Sequence, residues 1–278
     1  MSATVRIGTS GWAYKDWVGP FYADGTCAAD YLPQYAETFS VVEVDSTFYG
    51  IPRRSTVESW AAKTPPGFVL SPKVPGIVTH GTDGRGQRID VTRVLRDTDS
   101  LAAFLDVLEP LGDKLGPLVF QFPYFRVGTL VLSDFLERLA LVLDGVRGQL
   151  GESGKRAAVE IRNKAWLTET YLQCLATRRI GSVMVDHPYM PLPLAQLRIG
   201  MVTADFAYVR LLGDRYAIEK KTKSWEKIVE DQGERLDDWA EAIDAIGRRP
   251  GMRDIYAFSN NHYAGHAPET CRTTPSPG

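Results

Sequence analysis

Residues 41–49 read VVEVDSTFY, an apolar run that turns acidic and then hydroxyl-bearing as it proceeds. Successive strand side chains point to opposite faces, so Glu43, Asp45, Thr47 and Tyr49 fall on one side and Val42, Val44 and Phe48 on the other. The apolar side suits a layer of helices, and the polar side must then face an enclosed lumen. Seven further short runs, at 5–10, 68–73, 118–122, 157–162, 182–186, 208–211 and 255–261, also begin apolar and end polar or charged. Most are separated by stretches of helical periodicity, the signature of alternating β and α units on a parallel sheet. Eight units predict an α/β fold of the (β/α)8 TIM-barrel type, a single domain over residues 1–272. Residues 273–278, rich in Pro and Ser, are expected to form a disordered tail.

Length and composition agree with that reading. The chain has 278 residues, 44% hydrophobic and 24% charged, and barrels of this type need about 250 residues. A net charge of -2 and a pI near 6.1 argue against a surface built as a whole to hold nucleic acid. Cys27, Cys174 and Cys271 are widely spaced and contain no CxxC pair, which suggests neither a disulfide framework nor a zinc site. No run approaches the roughly 18 apolar residues of a spanning helix, and the first residues lack the plan of a signal peptide. A cytoplasmic location and no membrane partner are expected; oligomeric state is not legible.

Helix signals lie between the runs. Ser55 and Glu58 form an S-x-x-E capping box before Trp60 and Ala61, which predicts a helix start. Leu101, Phe104, Leu105 and Leu108 recur at helical spacing, as do Phe135, Leu136, Leu139, Val142 and Leu143, and Leu236, Trp239, Ile243 and Ile246. Thr168 is placed to cap the helix carrying Tyr171, Leu172 and Leu175. Residues 74–97, with Gly76, Gly81, Gly84 and Gly86, and residues 213–233, rich in Lys and Glu, read as long loops on the C-terminal face. The first is expected to move. Little sequence follows the last strand, so the closing helix is expected to be short or missing.

The alternation that directs Glu43 and Asp45 inward also directs Lys73, Gln121, Glu160, Arg162, Asp186, Arg210 and Asn260 toward the strand ends. Barrel interiors are normally filled by Val, Ile and Leu, and polar residues at the C-terminal ends of strands mark active sites in this fold. Charges so enclosed must pair with one another or with a ligand. Glu160 stands two positions from Arg162 and reads as an ionised base, whereas Glu43 and Asp45 crowd each other, so one of them can hold a proton and serve as the acid. Lys73, Arg162 and Arg210 suit an anionic group. Lys73 also admits a Schiff-base role, with anchoring the preferred one. Trp12, Tyr14, Trp17, Tyr49, Tyr124 and Trp166 lie just past strands, where rings stack on sugars or bases. His80, His187, His262 and His266 form no HExxH-type spacing, so the sequence does not require a metal, and the cofactor is not legible in it.

Seven blocks in order then carry a resemblance: IGTSGWAYKDWVGPFY at 7–22, VEVDSTFYGIP at 42–52, SPKVPGIVTH at 71–80, GPLVFQFP at 116–123, VEIRNKAW at 159–166, YVRLLG at 208–213 and NNHYAGHAPET at 260–270. The chain resembles the domain of unknown function 72 family, also called YecE-like, over almost its whole length. The resemblance implies a (β/α)8 barrel whose reaction is open. It points to Glu43, Lys73, His80, Gln121, Glu160, Arg162, Arg210, Asn260 and Asn261.

Together these features lead to an enzyme, a hydrolase, lyase or isomerase, that uses carboxylate acid and base chemistry on a small polar substrate, sugar-like or phosphorylated. Glu43, Glu160 and Lys73 are the catalytic candidates. Trp12, Asp45, Tyr49, His80, Gln121, Arg162, Asp186, Arg210, Asn260 and Asn261 are the substrate-binding candidates. Two alternatives stand: a nucleic-acid-binding barrel resembling the endonucleases that act at abasic sites, disfavoured by the few lumen histidines, and a non-catalytic metabolite-binding barrel.

Overall fold

Val, Ile, Phe and Tyr gather in short runs, and in the computed structural model, which describes residues 3–82, 88–150 and 156–273, eight of these runs are strands. They are β1 (Thr4–Ser10), β2 (Val41–Val44), β3 (Val69–Pro72), β4 (Leu118–Gln121), β5 (Ala157–Glu160), β6 (Gly181–Asp186), β7 (Phe206–Leu211) and β8 (Asp254–Ser259). The helices are α1 (Tyr31–Thr38), α2 (Arg54–Lys63), α3 (Gly76–Thr79), α4 (Thr98–Val107), α5 (Leu132–Leu150), α6 (Glu169–Ala176), α7 (Pro193–Arg198), α8 (Arg215–Lys221), α9 (Gly233–Gly247), α10 (Asn261–Ala264) and α11 (Ala267–Thr273).

The sheet runs β3-β2-β1-β8-β7-β6-β5-β4, and its paired neighbours are parallel. Its two edges meet through bridges between Leu70 and Leu115 and between Lys73 and Val119. The Val74 N–H donates to the Val119 carbonyl at 2.9 Å. The protein is thus the single-domain (β/α)8 barrel that the alternating pattern predicts. Gly8 permits a close approach of β1 to β2, because a Cβ there would stand 2.2 Å from the Val41 carbonyl oxygen.

Two apolar layers follow from strand alternation. Val42, Val44, Leu70, Phe120, Val159, Met184 and Val209 face the helices, where Phe104, Phe135, Leu175 and Trp239 meet them. Val41, Val69, Val119, Ala158, Val183, Phe206, Tyr208 and Phe258 fill the lumen. Each such side chain contributes roughly 1.5–3 kcal/mol when fully buried. The periodic series fall on α4, α5 and α9, and the Thr168 side chain accepts the Tyr171 N–H at the start of α6. At the N-terminal ends of the strands, Asp254 joins Arg6 at 2.7 Å and Arg156 at 2.6 Å.

Several expectations need correction. β2 stops at Val44, and Asp45–Tyr49 coil into a 3-10 turn, anchored where the Thr47 hydroxyl donates to the carbonyls of Val44 and Lys73. α2 begins at Arg54 after an N-cap at Arg53, so Ser55 lies inside the helix and caps nothing; Arg54 pairs with Glu58 at 3.6 Å instead. The 213–233 stretch contains α8, and its Trp225 N–H donates to Asp16 at 3.0 Å. The 74–97 stretch contains α3; Gly84 and Gly86 lie outside the described residues. The closing helix is short but present: α11 buries Ala267, Pro268 and Cys271, whose Sγ lies 3.0 Å from the Gly8 carbonyl. Of the expected tail, Thr273 ends α11, and 274–278 lie outside the described residues. No described helix is long and apolar enough to cross a membrane. The three cysteines are free.

Candidate active site at the C-terminal end of the barrel

β2, β5 and β7 each project one long polar side chain into the upper lumen. Arg210 from β7 joins the other two: its Nη2 donates to Glu43 Oε1 at 2.7 Å and its Nη1 to Glu160 Oε2 at 2.5 Å. The remaining oxygens are also held. Tyr208 donates its hydroxyl to Glu43 Oε2 at 2.9 Å, and Arg162 Nε donates to Glu160 Oε1 at 2.6 Å. Ser71 lies 3.0 Å from the Tyr208 hydroxyl and donates to the Pro117 carbonyl. Glu43 and Glu160 have no exposed surface, so water cannot replace these partners.

Lys73, one residue past β3, enters beside this chain of charges. Its Nζ donates to Gln121 Oε1 at 2.9 Å and stands 4.9 Å from the centre of the Phe48 ring. Burial is the main reason its pKa falls to about 8; Arg210 adds repulsion, and Glu43, Glu160 and Asp45 restore only part of the loss. The Glu160 pKa also falls, but there the charged form is favoured. Burial would raise it, but Arg162, Arg210 and Lys73 together hold it at about 2. His80 sits at about 4 through burial and the nearby Lys73 and Arg162 cations, so its ring is neutral at pH 7. Its Nδ1 lies 2.9 Å from the Thr79 hydroxyl, and its ring meets Phe48 edge-on at 4.8 Å.

Glu43, Lys73, His80, Gln121, Glu160, Arg162 and Arg210 therefore come together. Asp45 joins them by an unforeseen route: the 3-10 turn, not a strand face, holds it half-buried within electrostatic reach of Lys73, Glu43 and Arg210. Burial raises its pKa.

Four residues lie elsewhere than expected. Asp186 does not enter the lumen, because Val183 and Val185 hold the inward positions of β6 and it takes the outward face with Met184. There it accepts from Trp239 Nε1 at 2.8 Å and the Tyr263 hydroxyl at 2.8 Å, and it pairs with Arg235. β8 ends at Ser259, so Asn260 becomes the N-cap of α10, accepting from the His262 N–H at 2.9 Å. Trp12 packs edge-on against Trp60 at 5.7 Å and lines a groove with α1 and α2 residues. Tyr49 stays half-exposed at the end of its turn. Asn261 is buried; its Oδ1 accepts from the Ala267 N–H at 3.0 Å and its Nδ2 has no described partner. Trp17 is buried, and Trp166 stacks on Phe125 in the outer layer.

Tyr208 was not foreseen, although its place two residues before Arg210 puts it on the same strand face. Lys164, His187 and Tyr189 were also not selected. With Tyr124 and Arg162 they line a cleft of about 630 Å³. Among the described residues, no group of three His, Cys, Asp or Glu side chains is arranged to hold a metal ion.

Comparison with known proteins places these features in a wider set. A family described as "Protein of unknown function DUF72" matches residues 6–275. UPF0759 protein YunF of Bacillus subtilis (strain 168) is 24% identical over 280 residues, covering 95% of this chain and 90% of that protein. The crystal structure of the DUF72 family protein TM1631 from Thermotoga maritima MSB8 superposes with a TM-score of 0.70 at 26% identity, covering 96% of each chain. The structure of D-psicose 3-epimerase in the presence of D-fructose shares the fold alone, with a TM-score of 0.57 at 9% identity, covering 91% of this chain and 84% of that one.

Proposed function

This chain belongs to the DUF72 family of proteins of unknown function, and from that premise we propose that it is an enzyme moving protons on a small polar substrate, sugar-like or phosphorylated, at the C-terminal rim of its barrel. One observation carries this reading: Glu43, Glu160 and Arg210, from three strands, form a buried ion-paired network with Lys73 alongside. A purely structural network on this scale contributes little, because desolvation offsets most of the attraction between buried charges.

Within the site, the roles separate by acidity. Glu160, held at about 2 by its cations, is a poor proton acceptor near neutrality and serves to orient Arg162 and Arg210. Lys73, near 8, exchanges its proton in the physiological range and is the preferred base or acid. Gln121 fixes its direction. The Arg162 guanidinium is placed to offset negative charge as it develops on a substrate oxygen, and neutral His80 offers a hydrogen bond without adding charge.

A thermal-shift screen of sugars, sugar phosphates and nucleotides, followed by turnover assays on each hit, tests the proposal. A ligand present at 100 times its Kd adds about 2.7 kcal/mol of stability. With Lys73 as base, kcat/KM rises as the pH passes through about 8 and then levels off. Lys73→Met removes both the rate and that limb. Full turnover in Lys73→Met would sink the assignment.

A further inference from the structure

Three consecutive loops, those after β4, β5 and β6, supply the cleft lined by Tyr124, Arg162, Lys164, His187 and Tyr189. Among the described residues no carboxylate lines it. Arg162 is bound to Glu160 only through Nε and keeps 21% of its side chain exposed, so its terminal Nη groups are free of described protein partners. Lys164 is exposed, and its Nζ has no described partner.

His187 adds a third donor. Its Nδ1 accepts the Tyr189 N–H at 3.3 Å, which leaves the ring proton on Nε2. Burial and then Arg162 lower its pKa, which favours the neutral ring near pH 7. Tyr124 and Tyr189 are 56% and 77% exposed, wide surfaces for rings that line a cleft. At about 630 Å³ the space lies within the ordinary range of small-molecule sites.

We infer that this cleft is the anchoring subsite for a phosphate monoester carried on a ring, with the phosphate held by Arg162, Lys164 and His187 and the ring against Tyr124 or Tyr189. The inference rests on the proposed proton-transfer function and narrows its substrate class. A phosphate monoester presents nearly two negative charges and three acceptor oxygens, which match a guanidinium fork, an ammonium and an imidazole N–H. Tyrosine offers both a stacking face and a hydroxyl to a sugar or base. Sugar phosphates and nucleoside monophosphates share this chemistry. A neutral sugar would leave the paired cations unused.

Calorimetric titration of the full chain with glucose 6-phosphate, adenosine 5′-monophosphate, inorganic phosphate, glucose and a single-stranded oligonucleotide tests it. At least one ester binds, and glucose does not. Lys164→Ala weakens the ester about 10-fold, in line with loss of a charge-assisted hydrogen bond. Alanine at Tyr124 or Tyr189 weakens the ester by a similar factor and leaves inorganic phosphate unchanged. Preference for one ester over the other assigns the source and supports the inference either way. It is overturned by failure of both esters to bind, by ester binding at wild-type affinity in all three variants, or by tighter binding of a single-stranded oligonucleotide. Lys73-dependent turnover of an unphosphorylated compound, with no ester bound, ends this inference but preserves the proton-transfer reading. Ester binding that depends on Lys164, together with turnover indifferent to Lys73→Met, preserves the subsite and ends that reading.

Discussion

Both ends of the barrel are joined by ion pairs, but they differ in access to water. At the N-terminal end, Arg6, Asp254 and Arg156 retain 24%, 20% and 17% of their side-chain surface. At the C-terminal end, Glu43 and Glu160 retain none and Arg210 retains 4%. Partly exposed pairs that lose a partner can be reached by solvent. Enclosed ones cannot, and the upper end also contains an ammonium, Lys73, whose charged form is disfavoured there. Charge alone therefore does not distinguish a stabilising plug from a reactive centre; enclosure combined with a proton-labile group does.

The sharpest way to break this comparison is Arg210→Met. It leaves buried Glu43 without a paired cation and Glu160 with Arg162 alone, and is expected to cost about 3–5 kcal/mol, read from the midpoint of urea unfolding. An unchanged midpoint would mean that the upper network is as solvent-rescued as the lower. The acid limb should respond too. Wild-type Glu160 contributes stability that is present above its ordinary 4.5 and is lost as the pH falls through about 2. Removing one of its cations moves that loss to higher pH.

Asp254→Asn at the lower end should cost less than Arg210→Met, and less still in about 1 M salt, which screens its partly exposed charges. A loss matching that of Arg210→Met would erase the distinction between the ends. The smallest effect is expected for Lys73→Met, near zero at pH 7, because replacing a buried charge by an apolar side chain of similar length is often neutral. The sign can be followed with pH. Lys73 has a folded value of about 8 against an ordinary 10.5, so its contribution is fully present above 10.5 and lost as the pH falls through about 8. Between those values wild type should gain stability relative to Lys73→Met, measured as a pH-dependent difference in Tm.

Strand alternation alone was enough to bring Glu43, Lys73, Glu160 and Arg210 to one place, since each lies in or next to a run with an apolar opposite face. It failed where a strand ended sooner than its polar tail suggested. Asp45 and Tyr49 coil away after Val44, and Asn260 turns into a cap after Ser259. Asp186 failed differently: it belongs to β6, but the neighbouring register places Val185 opposite Arg210 and leaves Asp186 for the helices. The positively charged cleft was legible only in part: Tyr124 and Arg162 stand just past strand ends, but their meeting with each other and with His187 and Tyr189 from another loop depends on how the barrel closes.

By itself the sequence determined the eight-fold alternation, the apolar faces and the kind of charge available at each strand end, because these depend on local periodicity and side-chain chemistry. Only the tertiary structure decided which charges pair, which face solvent and which lose their ordinary acidity. Those properties depend on distances and burial between residues remote in sequence, such as Glu43 and Arg210, and no local pattern encodes them.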